Sequence, residues 1–176
     1  MKQAVLLAVF MRIILMACSN GASTAVQQDV NIDAKAILPE QIHFTLQFIG
    51  EIDGISKEKI VNAINRIEFS KFEITLQRIG AFPRTKSPRV IWIGVDKAGE
   101  ELISALASQV HTKLSELGFK NDKRFKPHIT VFRVKNKIND VTDELAKFNS
   151  KIFGMQLVSQ IKFKKSTLTS SGPIYE

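Results

Sequence analysis

The sequence predicts an α+β domain made of two related halves, with strands and helices alternating along the chain. Three observations carry this. A four-residue frame occurs twice, as His43-Phe44-Thr45-Leu46 and His128-Ile129-Thr130-Val131, and takes two of the three histidines in the chain. Each frame lies in an apolar run of strand character and is followed by a polar turn, a helical pattern and a strand rich in apolar and basic residues, which points to an internal duplication. Finally, 176 residues at 44% hydrophobic content can bury a real core. One domain over residues 1–176 is expected, with 1–35 as an atypical N-terminal region.

The first eighteen residues hold apolar stretches broken by Arg12, which reads as one or two core strands. Leu15-Met16-Ala17-Cys18 is also similar to a lipoprotein cleavage box, so an exported or lipid-anchored form is the alternative. Residues 18–35 are small and polar. A strand over 42–49 follows, then a helix that Ser56 can cap, with Ile60, Ile64 and Ile67 as its apolar positions. Strands at 72–79 and 89–95 flank a loop from Phe82 to Arg89. The clearest helix runs over 99–117, with a stripe of Leu102, Leu106, Val110, Leu114 and Leu117 ended by Gly118. The second histidine strand occupies 129–134. Asp140 can cap a short helix bearing Val141, Leu145 and Phe148, and strands at 155–163 and 166–169 complete the pattern.

Residues i and i+2 of a strand share a face. His43 therefore projects with Thr45, and His128 with Thr130. Two such strands side by side converge two imidazoles and two hydroxyls on one cleft, where an imidazole pair can act as acid and base near neutral pH. By the same alternation Phe44, Leu46 and Phe48 are core. Gln47 joins the His43 face, to touch substrate or to edge the cleft. Phe132 joins the His128 face, to stack on a base or to pack. Trp92 reads as core in a central strand. His111, off the stripe of the long helix, reads as a surface residue.

The net charge is +8 and the pI about 9.7, and the cations are clustered. Lys120, Lys123, Arg124 and Lys126 lead into the second frame, with Arg133 and Lys135 after it. Arg78, Arg84, Lys86 and Arg89 form a second group, and Lys151, Lys162, Lys164 and Lys165 a third. Such clusters attract phosphates, the alternative being a solvated basic surface. The single cysteine, Cys18, excludes an intrachain disulfide and a cysteine-based zinc site, and fits a reducing compartment such as the cytoplasm. No metal-ligand spacing and no Walker-type loop is visible, so neither a metal nor a cofactor is expected.

Several stretches together resemble the RNA 2′,3′-cyclic phosphodiesterases, or 2′-5′ RNA ligases, of the two-histidine (2H) phosphoesterase superfamily. They run from Leu38 through His43 and Thr45 to Glu51, and from Phe125 through His128 and Thr130 to Arg133. Weaker matches are Gly80-Ala81-Phe82-Pro83, Pro88 to Val95, and Gly172-Pro173-Ile174-Tyr175. The resemblance covers residues 36 to 176. Met11 to Ala17 also looks like a family N-terminus, which would make 1–10 an extension. The resemblance implies a bilobal, pseudo-twofold fold in which two antiparallel-rich sheets line a central cleft with helices outside. It implies hydrolysis of cyclic phosphate ends to a 2′-phosphate, His43 as proton donor and His128 as proton acceptor. It implies an arginine at Arg133 that binds the phosphate. Strict alternation puts Arg133 on the wrong face, and a bulge or strand end after Val131 would reconcile the two.

The chemistry suits the groups. Hydrolysis of this strained diester needs a base for water and an acid for the leaving ribose oxygen, and two histidines supply both without a metal. Thr45 and Thr130 can donate to the non-bridging oxygens. Run backwards, the same groups can form a 2′-5′ linkage. The expected partner is RNA with 2′,3′-cyclic phosphate ends, tRNA fragments among them, met by a monomer with no stable membrane association. A non-catalytic RNA-end binder is the alternative in another class.

Overall fold

The structure is a computed structural model that describes residues 4–9, 34–38, 41–120, 125–135, 140–169 and 172–175. Among these residues there are nine strands: β1 (Ala4–Val9), β2 (Ala34–Ala36), β3 (Phe44–Glu51), β4 (Phe72–Phe82), β5 (Val90–Val95), β6 (Ile129–Val134), β7 (Ile152–Val158), β8 (Lys162–Thr169) and β9 (Gly172–Tyr175). Three helices are α1 (Gly54–Asn65), α2 (Lys97–Glu116) and α3 (Thr142–Ala146). Every pairing is antiparallel, and the strand order is β7-β4-β5-β6-β3-β1-β8-β9, with β2 beside β6. The α+β class is as expected.

The two expected sheets are joined into one path. The half β7-β4-β5-β6 meets the half β3-β1-β8-β9 through a single residue pair, Phe44 with Ile129. Both side chains are buried, at 1% and 2% exposure, so the residue before and after each points to the other face. The seam between the halves is therefore formed by the two repeated frames themselves.

Where the helices were read from periodicity, small shifts separate expectation from structure. Asp53, not Ser56, caps α1: its Oδ1 accepts from the Ser56 N–H at 2.7 Å, and Ile60 and Ile64 are buried. On α2 the buried stripe is Ile103, Leu106, Ala107, Val110 and Leu114, while Leu102 is exposed. Leu102 and Ile103 compete for the same turn, and Ile103 lies closer in phase to Leu106, Val110 and Leu114. Gly118 takes φ +90° to close the helix, and the Phe119 N–H returns to the Leu114 carbonyl at 2.9 Å. Val141, not Asp140, is the N-cap of α3; Asp140 stands one residue earlier and accepts from the Thr142 N–H at 2.9 Å, and of the buried Val141, Leu145 and Phe148 only Leu145 lies within the helix. The buried residues of all three helices and of the sheet form one continuous core.

The strand expected over 155–163 is two strands in opposite halves of the sheet path, β7 at one edge and β8 between β1 and β9. In the N-terminal region, β1 lies between β3 and β8, so the residues that resemble an extension hold a central strand. Met11 to Ala17, Cys18, Lys123 and Arg124 lie outside the described residues.

Candidate active site

The two histidines are held in the same way. The Nδ1 of His43 lies 2.6 Å from the Gln41 carbonyl, and the Nδ1 of His128 lies 2.7 Å from the Lys126 carbonyl. A carbonyl only accepts, so each Nδ1 carries the hydrogen and each Nε2 is left as the nitrogen that can take or give a proton. The repeat thus extends to the backbone group two residues upstream of each ring. Antiparallel register continued from Phe44–Ile129 sets Thr130 level with His43, and Thr45 level with His128. All four side chains are half-buried. Each histidine stands beside the other frame's threonine.

Burial lowers the pKa of His43 below 6.5, against the Gln41 hydrogen bond, and the charges of Lys164, Arg133 and His128 lower it further. Burial likewise lowers His128, against its bond to Lys126. The rings around His128 explain its desolvation. Phe82 meets it edge-on at 4.9 Å between centroids and Trp92 at 6.3 Å, and these two rings lie 5.4 Å apart. Trp92 is therefore not core, as its place in a central strand suggested, but stands half-exposed on the histidine face of β5, opposite Thr130. Its ring lies over Gly80, where a Cβ would overlap it.

Arg133 reaches the histidine face through a bulge. Ile91 pairs with Phe132 and Trp92 with Thr130, which leaves Val131 as the extra residue of β6. Val131 and Phe132 are both buried, so Phe132 packs in the core and Arg133 is turned out beside the histidines. The strand β3 does the same. Leu7 pairs with Gln47 and Ala8 with Thr45, so Leu46 is extra there. This overturns two expectations. Gln47 is 2% exposed and its Nε2 donates to the Phe119 carbonyl at 2.9 Å, away from the cleft, while Phe48 is 73% exposed instead of core.

His111 is not a free surface residue. Its Nε2 donates to the Leu46 carbonyl at 2.9 Å, and its ring meets Phe125 edge-on at 6.2 Å. Among the cations, Lys35 stands opposite Arg133 across β2 and β6, a placement the sequence reading misses; its charge in an otherwise short apolar stretch is the available signal. Arg78 has another use: at φ +63° its guanidinium donates to the Val95 carbonyl and pairs with Glu100 at 3.0 Å. Among the described residues no group of three His, Cys, Asp or Glu side chains is placed to hold a metal ion, and no helix is long and apolar enough to cross a membrane.

A curled antiparallel sheet with paired His-x-Thr strands at its seam defines a phosphoesterase of the two-histidine class. The family model described as LigT like Phosphoesterase matches residues 21–92 and again 93–175, one frame in each segment, and the chain belongs to that family. Among curated proteins it is 44% identical over 142 residues to an RNA 2′,3′-cyclic phosphodiesterase of Archaeoglobus fulgidus, covering 81% of this chain and 80% of the relative. A protein of the same name from Aquifex aeolicus is 36% identical over 152 residues, covering 84% and 80%. Among solved structures, TT0787 of Thermus thermophilus superposes with a TM-score of 0.74 at 24% identity, covering 98% of this chain and 93% of the other. Escherichia coli LigT complexed with 3′-AMP gives 0.73 at 18% identity, covering 100% and 95%. These two likenesses concern the fold.

Proposed function

We propose that this chain hydrolyses RNA 2′,3′-cyclic phosphate ends to 2′-phosphates, with His43 and His128 as general acid and base. The matched orientation of the two rings carries the reading: each Nδ1–H is held by a backbone carbonyl two residues back, on either side of the Phe44–Ile129 seam. The names of the relatives supply the substrate class. Water attacks phosphorus as the P–O3′ bond breaks. His128 takes the water proton, and His43 gives its proton to the departing O3′. The phosphate stays on O2′. Thr45 and Thr130 donate to the non-bridging oxygens, and Arg133 pairs with their charge. The cations that oppose protonation of His43 are offset by the bound phosphate, so His43 takes up its proton as substrate binds. With an RNA 5′-hydroxyl in place of water as the nucleophile, the same displacement of O3′ makes a 2′-5′ linkage. No part of the step calls for a metal, and a single cysteine suits the cytoplasm.

His43→Ala and His128→Ala are each expected to lower turnover of a 2′,3′-cyclic nucleotide by about 10²–10⁴-fold, with circular dichroism unchanged. Near-parental turnover in either folded variant would remove that histidine from the mechanism.

A further inference from the structure

Within the sheet the two halves meet through Phe44 and Ile129. One pair of residues is a pivot: it sets where the halves touch and leaves the angle between them to other contacts. In-line displacement needs the two imidazoles at a fixed separation, so that angle matters to the reaction. A second joint lies on the core side of the sheet, where α2 packs behind β3.

His111 of α2 stands at this joint. Its Nε2 donates to the carbonyl of Leu46, three residues after His43, at 2.9 Å. Its ring meets that of Phe125, three residues before His128, edge-on at 6.2 Å. Phe125 is followed by Lys126, whose carbonyl accepts from the Nδ1 of His128 at 2.7 Å. One side chain thus touches the β3 bulge beside Thr45 and the segment that orients the second imidazole.

Gln47 links the same two segments. From β3 its Nε2 donates to the carbonyl of Phe119, on the connection from α2 to β6, at 2.9 Å. The residue is 2% exposed, and its Oε1 is buried and accepts no hydrogen bond among the described residues. A buried amide satisfied at one end costs stability relative to an apolar side chain of the same length. Packing alone would be met by a leucine at 111 and a methionine at 47. The two polar side chains add direction, which is what a joint needs and a core does not.

We propose that His111 and Gln47 are positioning residues that set the separation of the two imidazoles by tying β3 to the connection that ends at His128. This role rests on the hydrolytic reading above, and the test separates the two.

Steady-state kinetics on a 2′,3′-cyclic mononucleotide are measured well below the melting temperature of each variant, with folding checked by circular dichroism. His111→Leu is expected to lower kcat by about 10–10²-fold, the effect of a small misplacement of reacting groups, with KM close to that of the parent. His111→Gln, which keeps a donor, should recover most of the loss. Gln47→Met should lower kcat in the same way, and the double variant should lose less than the product of the single losses, because an opened joint has little left to lose. If His111→Leu does not fold, Gln47→Met carries the comparison. Parental kcat in the folded single variants, a loss carried by KM alone, or a loss that His111→Gln does not lessen would overturn the joint. If the parent itself turns over no cyclic nucleotide, the hydrolytic reading fails, and nuclear magnetic resonance decides the joint. In His111→Leu the only histidines left are His43 and His128. The ring signals of both should move from their positions in the parent, and His128 signals that stay in place would overturn the proposal.

Discussion

At the scale of single residues, the imidazoles are prepared by burial. Burial holds both rings below the ordinary value of 6.5, and nearby cations add to this at His43. The proposed mechanism needs one ring protonated and one neutral, so in the free protein the alkaline decline of kcat/KM is expected below about pH 6.5, with midpoints that belong to the pair. The bound phosphate offsets the cations, so the decline of kcat itself should lie at higher pH. Full pH profiles of both parameters test this, and a kcat/KM decline centred above pH 7 would contradict it. The sign for stability follows from the same shift. As the pH falls below 6.5 the unfolded chain takes up protons before the folded one, so these two groups make acid destabilising. Arg133 and the threonines separate in kinetics. Arg133→Ala should cost about 1–3 kcal/mol in kcat/KM, as for hydrogen bonds to charged groups. Thr45→Val and Thr130→Val should act mainly on kcat if their hydroxyls serve the transition state. An Arg133→Ala variant equal to the parent at low and high salt would put that side chain outside the phosphate site.

At the scale of elements, the two bulges decide which side chains share the histidine face. A bulge leaves one carbonyl out of the ladder, and both are satisfied from outside it. The Val131 carbonyl accepts from the Ile37 N–H at 2.9 Å, and the Leu46 carbonyl accepts from His111 on α2 at the same distance. Gln47 adds a second tie, to the Phe119 carbonyl just past the end of α2. The helix α2 thus holds β3 in the conformation that exposes Phe48 and aims Thr45 at the seam. His111→Leu removes the donor and leaves the Leu46 carbonyl half-buried without it, at an expected cost of about 1–3 kcal/mol in stability. His111→Gln, which can keep a donor near the Nε2 position, should recover part of that loss. Thermal melts of the two variants give the comparison, and equal melting temperatures for His111→Leu and the parent would remove the bond from the account of the bulge.

For the whole molecule, the two histidines sit where two halves of one sheet touch through one residue pair. Neither half contains the site alone, so the distance between the imidazoles is set by how the halves curl against the shared core rather than by either strand. The chemistry drawn from them uses only side chains of this chain. Turnover should therefore survive prolonged EDTA treatment; loss of activity restored by adding back a divalent ion would place a metal in the reaction.

The sequence by itself determined the histidine frames, their strand setting, the duplication, the long amphipathic helix and the basic character of the chain. These are local or compositional properties: a motif, a period, a charge count. Alternation also located the face of His43, Thr45, His128 and Thr130 correctly, because each pair spans only two residues. It failed three residues further on, at Gln47, Phe48 and Phe132, and it left Arg133 on the wrong face without a bulge. Two residues set against one is a property of paired strands, and no period within a single strand contains it. The position of Trp92 failed for a related reason, since a central strand has two faces and only the helix-covered one is core. His111 acquired its role from a carbonyl far away in sequence. The sequence named the paired histidines, and the pairing of distant strands decided what stands beside them.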